Sequence, residues 1–286
     1  MASLRQIRRR MKSIENIHEI TKAMEMIAAF RFKKAEGRFS RSRAYLSEME
    51  AILANLSGSA ENLTHPLFEK RKAVKKTLIV MTGDKGLCGA YNANVLRAAN
   101  HWLKENREAD LSFVPVGKVG YETLKKRQLV LAAFYPEKTG ADLDLAKKIT
   151  EDVKDLFLKK QADSVELLYT SYRAGGTGQN KLVPFLPLNH LVENRKTKGS
   201  PVDYIYEPDF NSVFFSLLQK FLEGKMYLTL LESLTSEYSA RMIAMKQATE
   251  NGEEVLDNLR LLRNKTRQAT ITRELSEIVS GASVLI

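Results

Sequence analysis

Cysteine is all but missing from this 286-residue chain, where Cys88 stands alone. One cysteine excludes an internal disulfide and fits a reducing compartment. The four histidines, His18, His65, His101 and His190, are scattered. None shares metal-ligand spacing with another His, Cys or acid, so no metal site is expected. No window approaches the roughly 18 uncharged apolar residues that a membrane span needs. The basic opening MASLRQIRRRM leads into no apolar signal core. Membrane association is therefore expected to be peripheral, through partners. Proline is absent from residues 3–58 and again after Pro208, so two long segments lack the residue that breaks helices.

What is present is an ordinary globular mixture, 44 % hydrophobic and 28 % charged, enough for one large or two small domains. The net charge is +11 and uneven: residues 1–50 carry 12 Lys/Arg against 6 Asp/Glu, residues 209–286 carry 9 against 10. A basic excess fits nucleic acid, an anionic surface or an acidic protein partner, and charge alone does not choose.

Residues 3–58 read as one long helix, with Ser3 as N-cap and an imperfect coiled-coil seam. That seam is Ile7, Ile14, Ile17, Met24, Ala28, Ala35, Tyr45, Met49, Ile52 and Leu56, interrupted at register positions by Arg10, Arg31 and Arg38. The stretch SGSAENLTHP at 57–66 ends it, with Pro66 as the stop. A second helix is expected from Glu207-Pro208-Asp209, with proline in its first turn. Its seam runs Leu231, Leu234, Tyr238, Arg241, Met245, Ala248, Gly252, Val255, Leu259, Leu262, then Thr266, Ala269, Arg273 and Ser276. Gly252 is expected to cost about 1 kcal/mol relative to alanine.

Between the helices the pattern alternates. Residues 77–82, 111–116, 129–135, 164–171 and 181–188 read as strands. Residues 92–106, 118–127 and 142–160 read as helices. The fold class is thus α/β: a central doubly wound, Rossmann-like, mostly parallel domain (61–208) between an N-terminal coiled-coil helix (1–60) and a C-terminal one (209–286). The two helices are expected to pair antiparallel into a long two-helix coiled coil. At ~1.5 Å per residue they reach about 84 Å and about 117 Å. Counted from residue 209, the shorter helix runs out near residue 264, where the apolar seam fades. The last twenty or so residues are expected to stand unpartnered, ending in the apolar SGASVLI. A lone helix of that length is marginal in water, so it calls for a socket made by other chains.

Chemistry is hard to find. Gly83-Asp84-Lys85-Gly86-Leu87-Cys88-Gly89 follows the first strand, where phosphate loops sit. Its G-x-x-G-x-x-G spacing fits neither a Walker loop nor a dinucleotide fingerprint. It reads as a tight turn, with Cys88 a small buried residue and Asp142 and Asp144 as helix-capping charges. No Ser/His/Asp constellation follows from spacing. No catalytic residue and no cofactor are expected. The aromatics Phe30, Phe32 and Phe39 form no stacking platform for nucleic acid. Two alternatives are a basic coiled-coil nucleic-acid-binding protein with an α/β domain and a nucleotide-dependent α/β enzyme.

Three separated motifs resemble a known family. ITKAMEMIAA at 20–29, TGDKGLCGAYN at 82–92, and the pair SEYSARMIAMK (236–246) and RQATITRELSEIVSGA (267–282) are similar to the gamma subunit of the F-type, proton-translocating rotary ATP synthase, bacterial type. The family commonly has Ser at the position of Gly83 and Arg at that of Lys85. The resemblance implies a central rotor shaft surrounded by three alpha and three beta subunits. It further implies a foot resting with the epsilon subunit on the c-subunit ring, at the cytoplasmic face of the plasma membrane. By motif match, Arg267, Gln268, Thr272 and Glu274 would form a polar catch on a beta-subunit loop. Lys22, Met24 and Arg241 would lie in the torque-transmitting coil. Ile278, Val279, Val284, Leu285 and Ile286 would form an apolar bearing tip. ATP chemistry would belong to beta.

Overall fold

A computed structural model describes residues 3–59, 65–136, 142–173, 178–189, 207 and 209–283. Two long helices enclose the rest in sequence: α1, Leu4–Ser59, and α5, Phe210–Ser283. Each has a defined start. The Ser3 hydroxyl accepts the Gln6 N–H while the Gln6 side chain accepts the Ser3 N–H, a reciprocal cap that satisfies two otherwise orphaned donors. At α5 the Asp209 carboxylate accepts both the N–H and the hydroxyl of Ser212, which holds that carboxyl below its usual range. The helix therefore begins at Phe210, after the Glu207-Pro208-Asp209 signal rather than within it. The chain falls into two compact units: residues 30–240, and residues 1–29 with 241–286.

Within residues 30–240 lies a four-stranded sheet of order β2-β1-β3-β4. Its strands are β1 (Lys75–Met81), β2 (Asp110–Val116), β3 (Ser164–Ser171) and β4 (Gln179–Leu186). The first three pair in parallel and β4 is antiparallel to β3. Helices α2 (Tyr91–Glu105), α3 (Lys118–Lys126) and α4 (Leu143–Leu158) make the crossovers. Asp142 occupies the N-cap of α4, but its side chain caps nothing.

Alternation along the strands divides the core. Leu78, Val80, Phe113 and Leu168 face α2 and α3 through Val95, Ala99, Trp102 and Leu124. Ile79, Met81, Val114, Val116, Leu167 and Tyr169 face the other way, into one cluster with Ile149 and Phe157 of α4, Phe39 and Leu53 of α1, and Phe221 and Leu231 of α5. A single sheet thus seats α2 and α3 on one side, and α4 with the two long helices on the other.

One expected strand is absent. Residues 129–135 make only two isolated parallel bridges, Phe113 with Leu131 and Val116 with Tyr135. Three steps along β2 answer four along this segment, and Pro115 between them has no N–H to donate, so no ladder propagates.

The seam is stricter than the sequence suggested. On α1 it runs 7, 11, 14, 18, 21, 25, 28, 32, 35, 39, 42, 46, 49, 53, 56, alternating steps of four and three, and every one of these positions is buried or half-buried. Ile17, expected on the seam, is 49 % exposed, and Tyr45 and Ile52 are exposed as well. Met11, Thr21, Leu46 and Leu53 take the positions instead. Arg31 and Arg38 do not interrupt the register. They flank it, lying over the rings of Tyr238 and Tyr227 on α5. On α5, within residues 241–286, the matching run is 245, 249, 252, 256, 259, 263, 266, 270. Leu256 is 5 % exposed where Val255, expected there, is 44 % exposed, and Leu262 gives way to Arg263. Thr21 and Thr249 hydroxyls lie 3.0 Å apart, and His18 meets the backbone at Gly252. This antiparallel register places Leu4 opposite Thr266.

Lys225 of α5 is largely buried, donates to the Pro184 carbonyl at 3.1 Å and has Glu50 nearby. Burial lowers its pKa to about 8, Glu50 opposing. The unfolded chain then binds more protons than the native one between pH 8 and its usual 10.5, so wild-type stability rises across that interval. Lys225→Met should gain about 1–2 kcal/mol at pH 7, an advantage that shrinks as pH climbs through that window in denaturant titrations. Leu256→Ala should cost about 2–4 kcal/mol, against less than about 0.5 for Val255→Ala, by thermal loss of helicity.

Candidate functional site

The loop after β1 is tied down from within and closed on one side. Gly83 donates its N–H to Asn92 Oδ1 at 2.9 Å, and Asp84 Oδ1 accepts the N–H of Lys118 at the start of α3. Cys88 is buried, its sulfur accepting the Asn92 amide at 3.3 Å. Glu237 of α5, itself buried, brings its carboxylate so close that a Cβ on Gly83 would sit 2.7 Å from Cδ. The glycine is there for close approach of a helix. Among the described residues no group of His, Cys, Asp and Glu could hold a metal ion, and no helix is long and apolar enough to cross a membrane.

The candidate site is instead the outer surface of the long helices. Past Thr270 the helix α5 buries nothing: residues 271–280 are all exposed. At about 100° per residue, Arg267, Ile271, Glu274, Ile278, Leu275, Gln268, Val279 and Thr272 fall within one arc of about 160°. That arc is centred about a third of a turn away from the seam that meets α1. The face continuing the seam turns polar, with Thr270 and an exposed Arg273–Glu277 pair at 3.7 Å. The Thr272 hydroxyl donates to the Gln268 carbonyl at 3.0 Å, so both lie one turn apart on the same side. Four polar residues of the expected catch thus share a face with four apolar ones, Ile278 being 67 % exposed. Val284, Leu285 and Ile286 lie outside the described residues.

On α1, Lys22 is exposed and Met24 half-buried. Arg241, half-buried on α5, falls opposite Ala29 by the register, about a turn and a half from Met24. A second apolar stripe accompanies them. Ile17, Ile20, Met24 and Ile27 fall within about 80° on one flank of α1, centred about 100° from its seam, and the three isoleucines are exposed. Sequence reading missed Ile20 and Ile27 and misplaced Ile17, because apolar residues off the register looked like noise in the seam. Their i, i+3, i+7, i+10 spacing was the available signal.

A family model described as ATP synthase matches residues 3–285. The chain is 37 % identical over 284 residues to the ATP synthase gamma chain of Trichlorobacter lovleyi, covering 99 % of this chain and 98 % of that one. It is 38 % identical over 291 residues to the gamma chain of an Acidovorax species, each covered in full. The chain belongs to the ATP synthase gamma chain family. Two solved assemblies share the fold. A chain in the mitochondrial ATP synthase of Euglena gracilis matches with a TM-score of 0.68 at 18 % identity, covering 99 % of this chain and 94 % of its own. The central stalk and c-ring structure from Tetrahymena thermophila gives 0.61 at 23 %, covering 80 % and 99 %.

Since both lie exposed among the described residues, Ile271→Asp and Leu275→Asp should leave the unfolding free energy of the isolated chain within about 0.5 kcal/mol of wild type. A clear loss of stability in urea titrations would mean that this face is covered from within.

Proposed function

We propose that this chain is the central rotor shaft of its ATP synthase, coupling proton-driven rotation of the c ring to conformational change, and hence ATP synthesis or hydrolysis, at beta-subunit sites. The observation that carries this reading is the early end of the pairing register: α1 reaches Thr266, and the exposed face beyond it is one-third of a turn out of line with the seam. An apolar arc so placed suits a sleeve made by other subunits. Three alpha and three beta subunits would surround the coil, while the epsilon subunit and the c ring would meet the sheet domain. The chain would be non-catalytic, the loop after β1 being tied down from within and closed on one side. It would be held peripherally at the cytoplasmic face of a bacterial plasma membrane.

A shaft turns its partners one after another only if it differs around its circumference, because coupling requires differential contact with each state. Two features supply that difference. The stripe Ile17–Ile20–Ile27 and the neighbouring Lys22 give α1 one apolar and one basic side. Glu274 and Arg267 on one side of the apolar arc of α5, and Gln268 and Thr272 on the other, give it polar margins suited to catch a beta-subunit loop. Ile278 and Val279, uncharged, would slide against the sleeve without the deep wells that fixed ion pairs create. The nucleic-acid alternative loses two of its three aromatics, since Phe32 and Phe39 both pack against Tyr172 and leave Phe30 alone exposed among the three.

Truncation after Leu262 tests the reading in complexes reconstituted with alpha and beta subunits and the membrane sector. ATP-driven proton pumping should fall severalfold, or assembly should weaken, while circular dichroism of the chain shows residues 77–188 still folded. Pumping at the wild-type ratio without this segment would refute the bearing and catch together.

A further inference from the structure

Apolar contacts fix distance but not direction, since the hydrophobic effect is non-directional. The sheet face carrying Ile79, Val114 and Leu167 could therefore let two smooth helices creep or roll across it. A directional grip is found at the C-terminal end of β3. Tyr172 follows the last residue of that strand, and its backbone N–H donates to Glu232 Oε1 of α5 at 3.2 Å. Its hydroxyl donates to Glu36 Oε1 of α1 at 2.6 Å. Its ring sits 5.7 Å from that of Phe32 and 6.2 Å, edge-on, from that of Phe39, so three side chains at i, i+4 and i+7 of α1 hold it. Three residues earlier Tyr169 lies against the same Glu232, whose pKa is raised by burial, with Lys181, Tyr169, the Tyr172 amide and Arg43 opposing. Burial and the Glu36 bond push the Tyr172 phenol up to about 12, so it remains a donor across the physiological range.

We infer that Tyr172 is a torque-coupling residue, the point at which the sheet domain grips both long helices at once and passes twist to them. This rests on the rotor reading. One residue bonded to both helices resists their rolling apart in a way that the surrounding Leu, Phe and Val contacts cannot, because a hydrogen bond to a carboxylate weakens steeply with misalignment.

The test uses the whole complex in vesicles, with hydrolysis and ATP-driven proton pumping measured side by side. Tyr172→Phe removes only the hydroxyl and keeps the ring between Phe32 and Phe39; Glu36→Ala removes the acceptor; Glu36→Gln keeps one. The first two should lower protons pumped per ATP hydrolysed to half or less and soften single rotating complexes in torsion, with Glu36→Gln near wild type. Subunit stoichiometry and the thermal midpoint of the chain should hold. A wild-type pumping ratio and stiffness in both Tyr172→Phe and Glu36→Ala would overturn the inference. If the wild-type chain failed to restore pumping to a complex lacking it, the rotor reading itself would fall.

Discussion

Everything in this chain depends on the register between two antiparallel helices. Once Thr21 is set beside Thr249 and His18 beside Gly252, every other seam residue of the unit formed by residues 1–29 and 241–286 has its partner assigned. The alternating four-and-three steps continue without a stutter along the described length of α1. Because α1 begins at Leu4, the same register decides where α5 loses its companion, and so which of its residues must look elsewhere for cover. Polar groups at seam positions are the means of fixing register: a hydroxyl pair at 3.0 Å has one good alignment, whereas a run of leucines has several.

The sheet serves this helix pair. Its two faces are both buried, as parallel sheets require, but by different kinds of element. Crossover helices α2 and α3 cover one side. On the other, α4 shares the apolar surface with the long helices, and polar links join the layers. Tyr91 of α2 bonds to Ser233 through its hydroxyl, Lys154 of α4 reaches Gln219, and the two carboxylates Glu36 and Glu232 hold Tyr172. Loop chemistry that resembles a phosphate site in sequence is consumed in the same joint, with Glu237 occupying the space beside Gly83.

Much of the fold was legible because its signals are long or sharp. A proline-free stretch with a cap at each start yields one long helix regardless of detail, and TLIVMT can scarcely be anything but a buried strand. The errors have physical origins. Seam positions 18, 21 and 42 carry His, Thr and Ser, so hydrophobicity drifts onto Ile17, Tyr45 and Ile52, which lie exposed beside the seam. Val255 and Leu256 are adjacent and equally apolar, and only the partner helix distinguishes them. Residues 129–135 have strand composition, but the decision rests with Pro115 on the neighbouring strand, a long-range fact. Of the candidate site, the motif residues at 267–274 were legible. The Ile17–Ile20–Ile27 stripe was not, since an isoleucine left exposed looks the same in sequence as one buried in its own core. Tyr172 and its two carboxylates were invisible because they lie far apart in sequence.

The strand β4 carries a further implication. It is the last strand of the described sheet, the position from which unpaired amides recruit stray chains. Pro184 removes one donor from that border, Lys225 has already claimed its carbonyl, and Lys181 adds an exposed charge. A newly made copy waiting in a crowded cell for its companions is thereby discouraged from sticking to its siblings. The same few atoms that seat a buried ammonium also guard the solubility of the orphan subunit.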